Sequence, residues 1–202
     1  MSPVVYIEGG GNGDQRLERL FRRSWARFFE AAGLAGRMGR MPRIVRGGSR
    51  NRTFGLFARA IADRTEERLP VLVVDSETTV AAESSAWRHL NARDGWDQPH
   101  GARNDQVFLM VQLMETWLVA DRNTLRAYFG VSFREKALPQ WPALEDVAKR
   151  DILDALERAT ARCAKPYSKG CVSFELLART DPARVENACP HAKKLLDRLR
   201  TL

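Results

Sequence analysis

Two short apolar runs constrain this chain more than anything else in it. The first is Val4-Val5-Tyr6-Ile7, followed at once by Glu8-Gly9-Gly10-Gly11. The second is Val71-Leu72-Val73-Val74, followed by Asp75-Ser76-Glu77. Each is short, β-branched and bounded by turn formers, the pattern of a strand buried on both faces. Such strands occur in parallel sheets covered by helices, and between these two the sequence reads helix, strand, helix. The alternation predicts a parallel, right-handed α/β sheet. Ligands bind such a sheet at the carboxyl ends of its strands, which is where both runs deliver acid. On an extended segment Asp75 and Glu77 point the same way, so Glu8, Asp75 and Glu77 are expected to share one pocket. Carboxylates crowd together at little cost only around a cation, and hard oxygen donors suit Mg²⁺ or Mn²⁺.

The periodicity predicts further elements. A helix is expected from Asp14 to Ala32, with Leu17, Leu20, Phe21, Ser24, Trp25 and Phe28 as its buried stripe, Asp14 as N-cap and Gly33 as its stop. A short strand follows at Arg43–Arg46, and a helix from Asn51 to Arg68 turns Phe54, Phe57, Ala58 and Ile61 inward. Residues Ser76–Arg103 form a long excursion with a short helix near Ser84–Asn91; long loops at this edge are often functional. Val107–Gln112 reads as a fourth strand with a helix from Met114 to Ala120, or the whole stretch as one helix, which periodicity does not separate. From residue 122 to 202 the chain reads as a mainly helical extension: Thr124–Phe129, Leu144–Arg162, Phe174–Arg179 and Ala192–Leu199. At 202 residues the expectation is a single domain with that extension packed on it.

The net charge of +8 makes polyanions the natural partners. Arg outnumbers Lys 27 to 6, which fits both a GC-rich coding sequence and phosphate recognition by guanidinium forks. Position says more than the bias. Arg37–Arg52 holds six arginines and no acid, and Arg16, Arg19, Arg23 and Arg27 line one face of the first helix. Arg16, Arg19, Arg23, Arg43, Arg46, Arg50 and Arg52 are therefore the candidate nucleic-acid contacts, each adding salt-dependent affinity, against the simpler reading of a solvated face. Lys165-Pro166-Tyr167-Ser168-Lys169 is a second basic turn; Lys165 and Lys169 would meet phosphate and Tyr167 a base, or the turn merely joins helices.

Glu115 interrupts an apolar segment, where a lone carboxylate is costly; it either completes a metal site or supports one through hydrogen bonds. Asp121 reads as an N-cap. His89 lies near the expected pocket as a proton-transfer candidate or a structural histidine. The tryptophans read as packing residues, and the three cysteines as reduced thiols rather than a zinc site. Without a basic, long apolar leader or a run long enough to span a bilayer, the expected location is cytoplasmic.

These residues resemble the Toprim domain of topoisomerases, bacterial-type primases and the overcoming-lysogenisation-defect nucleases. Glu8-Gly9 after one strand and Asp75-x-Glu77 after a later one carry the likeness. The chain as a whole resembles a family of small bacterial Toprim-like proteins of unknown function. That likeness runs through Met41-Pro42-Arg43-Ile44-Val45, His89-Leu90-x-x-Arg93-Asp94-Gly95-Trp96, Asp105-Gln106, Met110-Val111-Gln112-x-Met114-Glu115-x-Trp117 with Asp121, Lys165-x-Tyr167-x-Lys169-Gly170, and Phe174-Glu175-Leu176-Leu177. The resemblance implies a Toprim-like, Rossmann-like fold and Mg²⁺-dependent cleavage of phosphodiesters in DNA or RNA. It implies Glu8 as acid/base, Asp75 and Glu77 as metal-binding positions, and a phage-defence setting beside an ATPase partner. Toprim domains carry Asp-x-Asp where this chain has Asp75-x-Glu77, one methylene longer. Two rival expectations stand beside the nuclease. One is a non-catalytic module that binds nucleic acid or an ATPase. The other is a phosphatase of the haloacid-dehalogenase type, because Asp75-Ser76-Glu77-Thr78-Thr79 echoes that class's nucleophile motif.

Overall fold

The structure, a computed structural model, describes residues 2–9, 14–34, 41–63 and 68–202. Four strands, β1 (Ser2–Glu8), β2 (Arg43–Gly48), β3 (Arg68–Asp75) and β4 (Val107–Met110), form one sheet in the order β2-β1-β3-β4. All three pairings are parallel. The fold is therefore α/β with a four-stranded parallel sheet flanked by helices, in keeping with a Rossmann-like arrangement. The connections run through α1 (Gln15–Ala31), α2 (Arg50–Ala62) and α3 (Ala86–Asp94). Beyond β4 the chain is helical: α4 (Glu115–Ala120), α5 (Arg122–Phe129), α6 (Lys149–Thr160), α7 (Cys171–Leu177), α8 (Pro182–Ala188) and α9 (Pro190–Arg200), with short 3-10 turns between. Among the described residues no helix is long and apolar enough to cross a membrane.

The pleat divides the core in two. Val71 and Val73 of β3 face one apolar cluster, with Val5 and Ile7 of β1, the α1 stripe and the helices from α4 onward. Leu72 and Val74 face the other, with Phe57 and Ile61 of α2 and Trp87 and Leu90 of α3. These four β3 side chains have no exposed surface, and each stabilises the fold by about 2 kcal/mol through burial. On α1 the buried residues are Phe21, Ser24, Trp25, Phe28 and Phe29. Trp117 of α4 meets Trp25 edge-on at 5.7 Å and stacks near Phe28 at 5.6 Å. Asp14 caps α1 by accepting from the Arg16 and Leu17 amides. Gly47 is needed at the end of β2 because a Cβ there would stand 2.0 Å from Thr53 Oγ1.

Several expected boundaries move. The second helix ends at Ala62 rather than Arg68, and Arg68 already belongs to β3. Val107–Ala120 is not one helix: β4 stops at Met110, where pairing with Asp75 ends, and a turn precedes α4. The helix expected from Leu144 breaks into a 3-10 turn at Leu144–Asp146 and α6 from Lys149. The helix expected at Phe174–Arg179 is α7, three residues earlier in onset. Sequence periodicity missed α8, a short helix capped by Asp181 with Pro182 in its first turn. The glycines 10, 11 and 13 and the arginines 37 and 40 lie outside the described residues.

Candidate functional site

Glu8 is the last residue of β1 and Asp75 the last of β3. The two strands are neighbours, and the chain leaves β1 for β2 on one side and reaches β3 on the other. The crevice between them is thus a point where the strand order reverses, the place where open α/β sheets bind ligands. Glu77 joins from beyond the strand end, but not by extended alternation as the sequence predicts. Its φ is +67°, in the left-handed region that costs a non-glycine residue about 1 kcal/mol or more. Hydrogen bonds hold that conformation. The Glu77 amide donates to Gln112 O at 2.7 Å and the Ser76 amide to Met110 O at 2.9 Å. Ser76 Oγ donates to Thr78 O at 2.6 Å, and His89 Nε2 lies 2.9 Å from Ser76 O. A carbonyl only accepts, so Nε2 carries the hydrogen and His89 pins the turn. As a result one ligand atom each from Glu8, Asp75 and Glu77 lies within 4.8 Å of the other two.

The three acids open on a cavity of about 450 Å³, walled also by Met110, Met114, Glu115, Lys169, Ser173 and Phe174. Burial first, then the charges of Glu115, Glu8 and Glu77, hold the Asp75 carboxyl well above the usual carboxylate range, with Lys169 opposing them. Asp75 Oδ1 accepts from the Met114 amide at 2.9 Å. Burial also raises Glu8, against the Arg50 guanidinium and the Asp75 amide, which favour its charged form. Both acids are thus shifted toward holding a proton at the mouth of the same crevice.

Cations from three directions answer this charge. Arg50, at the start of α2, donates to Glu8 Oε2 at 3.0 Å and to the Asp75 carbonyl. Its other nitrogens grip both oxygens of Asp94 at 2.9 and 2.7 Å, and its plane lies 5.0 Å from the Trp96 ring. Trp96 is stacked on Phe54 at 4.3 Å. Lys149, at the start of α6, pairs with Glu77. Lys169 stands 4.0 Å from Glu115 Oε2. Glu115 is 3% exposed and accepts from Tyr167 Oη at 2.5 Å. It sits beside the acidic trio without belonging to the group within 4.8 Å, and its charge adds to the crowding on Asp75.

The expected basic footprint divides. Arg50 is only 14% exposed along its side chain and is committed to Glu8 and Asp94, so it builds the site instead of offering a free contact. Arg46 donates to Gly9 O at 3.2 Å and lies over Phe21; Arg52 donates to Gly47 O at 3.3 Å, so both are near the carboxylate edge. Arg43 starts β2 opposite Val4, at the far edge of the sheet. Arg16, Arg19 and Arg23 are exposed on α1, with Arg16 in the turn nearest the acids and Arg23 about 10 Å farther along the helix. Lys165 pairs with Glu175 at 2.6 Å, whereas Lys169 reaches the cavity. Tyr167 is buried against Glu115, which removes it as a base-stacking surface. Sequence reasoning missed the Arg50–Asp94–Trp96 assembly and Lys149. The stretch Arg93-Asp94-Gly95-Trp96 was a visible signal for the first; nothing local marks Lys149.

No curated protein and no solved structure matches the chain. Its residues 12–200 match the family described as Domain of unknown function (DUF4276), with Asp75, Glu77, Asp94 and Glu115 inside the match and Glu8 just before it, and the chain belongs to that family.

Proposed function

We propose that this protein is a Toprim-type phosphodiesterase that cleaves nucleic acid with the help of Mg²⁺ or Mn²⁺. The observation that carries the reading is the convergence of Glu8, Asp75 and Glu77, from two adjacent parallel strands and the turn after one of them, to within 4.8 Å. The donor set fits a small hard dication. Two oxygens bound to one Mg²⁺ at about 2.1 Å stand about 3 to 4.2 Å apart, so rotamer-scale movements would bring these oxygens together. The crowding that holds a proton on Asp75 would be relieved by the same charge. Asp75 and Glu77 would hold the ion, with Glu115 adding negative charge beside Asp75 that favours a cation there.

A bound dication supplies Lewis-acid stabilisation of the phosphoryl oxygens. Glu8, raised by burial yet oriented by Arg50, suits the transfer of a proton to or from the reacting oxygens. Lys169 at the rim, with Arg16, Arg46 and Arg52 along the same edge, would bind the strand's phosphates. On the resemblance, an ATPase is a second partner and phage defence the setting. Glu8→Gln and Asp75→Asn should abolish metal-dependent cleavage while leaving nucleic-acid affinity nearly unchanged. Variants that cut as well as the parent would end the reading.

One observation favours a second reading, a non-catalytic module that binds nucleic acid or an ATPase. Arg50 and Lys149 already compensate Glu8 and Glu77, so the protein neutralises two of the three acids itself. Calorimetry and a cleavage assay separate the readings: a module of this kind shows no saturable heat with Mn²⁺ and cuts no nucleic acid when Mn²⁺ is supplied.

A further inference from the structure

A second cavity, of about 290 Å³, lies between the C-terminal half of α2 and the starts of β1, β2 and β3. Arg43, Arg59 and Arg68 converge on it from β2, α2 and β3. None of the three has an ion-pair partner within 4.0 Å among the described residues. The one acid among the described wall residues, Asp63, is the C-cap of α2. The floor is apolar, made by Val4, Leu56 and Pro70. Tyr6 stands in the wall with Arg43 and Arg68 close enough for their charge to act on its phenol. The cavity is separate from the carboxylate crevice. Along α2, Arg50 serves the crevice, and Arg59 lies about 14 Å further down the helix.

We propose that this cavity is a binding site for a small phosphomonoester. Its described walls carry three positive charges and one negative, a net +2 that a phosphomonoester dianion neutralises. Guanidinium groups present paired donors matched to phosphate oxygens. The volume falls at the low end for ligand pockets, enough for a phosphate with a compact organic stem, which the aliphatic floor and the Tyr6 ring would cover. The C-terminal end of α2 carries partial negative charge, which three full positive charges outweigh. Free esters and the 5′-phosphate end of a nucleic-acid strand share this chemistry.

The test is titration of the full chain with phenyl phosphate by calorimetry, with unfolding melts confirming that each variant is folded. The parent should bind saturably. Arg43→Gln with Arg68→Gln should weaken binding by about tenfold or more, and Asp63→Asn should tighten it. A 5′-phosphorylated oligonucleotide, compared with its 5′-hydroxyl form, identifies the source: a preference for the phosphorylated end that disappears in the double variant assigns the site to strand ends, and equal affinity of the two forms, with phenyl phosphate still bound, assigns it to free esters. Absence of saturable phenyl phosphate binding to the parent, or binding unchanged by the double substitution, overturns the proposal.

Discussion

Arg50 Nη1 lies 3.0 Å from Glu8 Oε2 and also donates to the Asp75 carbonyl, so one guanidinium ties together the ends of the two strands that carry the acids. The same group holds both oxygens of Asp94. Arg50→Gln would take the cation from Glu8 and leave Asp94 with Arg93 alone, in a setting where both acids are less than a fifth exposed. Removing one partner of such a pair costs about 3 kcal/mol, and urea unfolding should show a loss of that size. Arg50→Lys should recover only part of it, because an ammonium cannot reproduce the two parallel bonds to Asp94.

Asp75→Asn should make the protein more stable at neutral pH. Asp75's folded pKa is raised above its unfolded value, so between the two the native state binds more protons than the unfolded chain. Stability from this group is therefore present at low pH and lost as pH rises from about 4 through the folded pKa. Asn keeps an oxygen for the Met114 amide and has no charge to lose. Urea titrations at pH 5 and pH 8 should give a gain on the order of 1 kcal/mol or more at pH 8 and a smaller one at pH 5. A variant less stable than the parent at pH 8 would contradict the repulsion inferred here.

Tyr167→Phe removes the only hydroxyl that reaches Glu115 Oε1 among the described residues, a 2.5 Å bond to a carboxylate with 3% exposure. Lys169, at 4.0 Å and half in solvent, is a poor substitute. The expected loss is about 2 kcal/mol. Glu115→Gln in the same background should restore much of it, since a neutral amide is cheaper to bury and no longer crowds Asp75. A double-mutant cycle by chemical denaturation measures this coupling.

How much of this was legible beforehand depended on how local the signal was. The buried runs of β1 and β3 predict their own strands, and Glu8 and Asp75 follow as strand ends, because a short continuous apolar run and an abrupt change to polar residues are written within eight positions. Asp14 as a cap of α1 and Asp121 as a cap of α5 are equally local. Glu77 joins the group for a reason the extended reading did not contain: a left-handed turn fixed by Gln112, 35 residues on. Arg50 shows the opposite failure. In a window of arginines it looks like a phosphate contact, and only the fold reveals that Asp94 and Glu8 flank it. Lys149 gives no local sign at all, since its partner Glu77 lies 72 residues earlier. Pairings between distant charged residues carry no periodicity, so charge composition locates the surface they come from but not their partners.

Lys149 also offers the sharpest check on the metal. Its ammonium pairs with Glu77 at the edge of the acidic trio, with the two side chains 32% and 20% exposed. At an effective dielectric near 20, a unit charge and a dication about 6 Å apart repel by several kcal/mol. Partial exposure and salt reduce that to about 1–2 kcal/mol. Lys149→Met removes the repulsion and frees Glu77 for the ion. Mn²⁺ affinity, read from the free-ion signal in electron paramagnetic resonance, should rise roughly tenfold, and Glu77→Gln added to the variant should reverse the gain. The rise should shrink at high ionic strength, as expected for a partly screened charge. Affinity that falls in Lys149→Met would mean that the lysine is needed to hold Glu77 in its left-handed turn, and that the ion, if bound, sits on Glu8 and Asp75 alone.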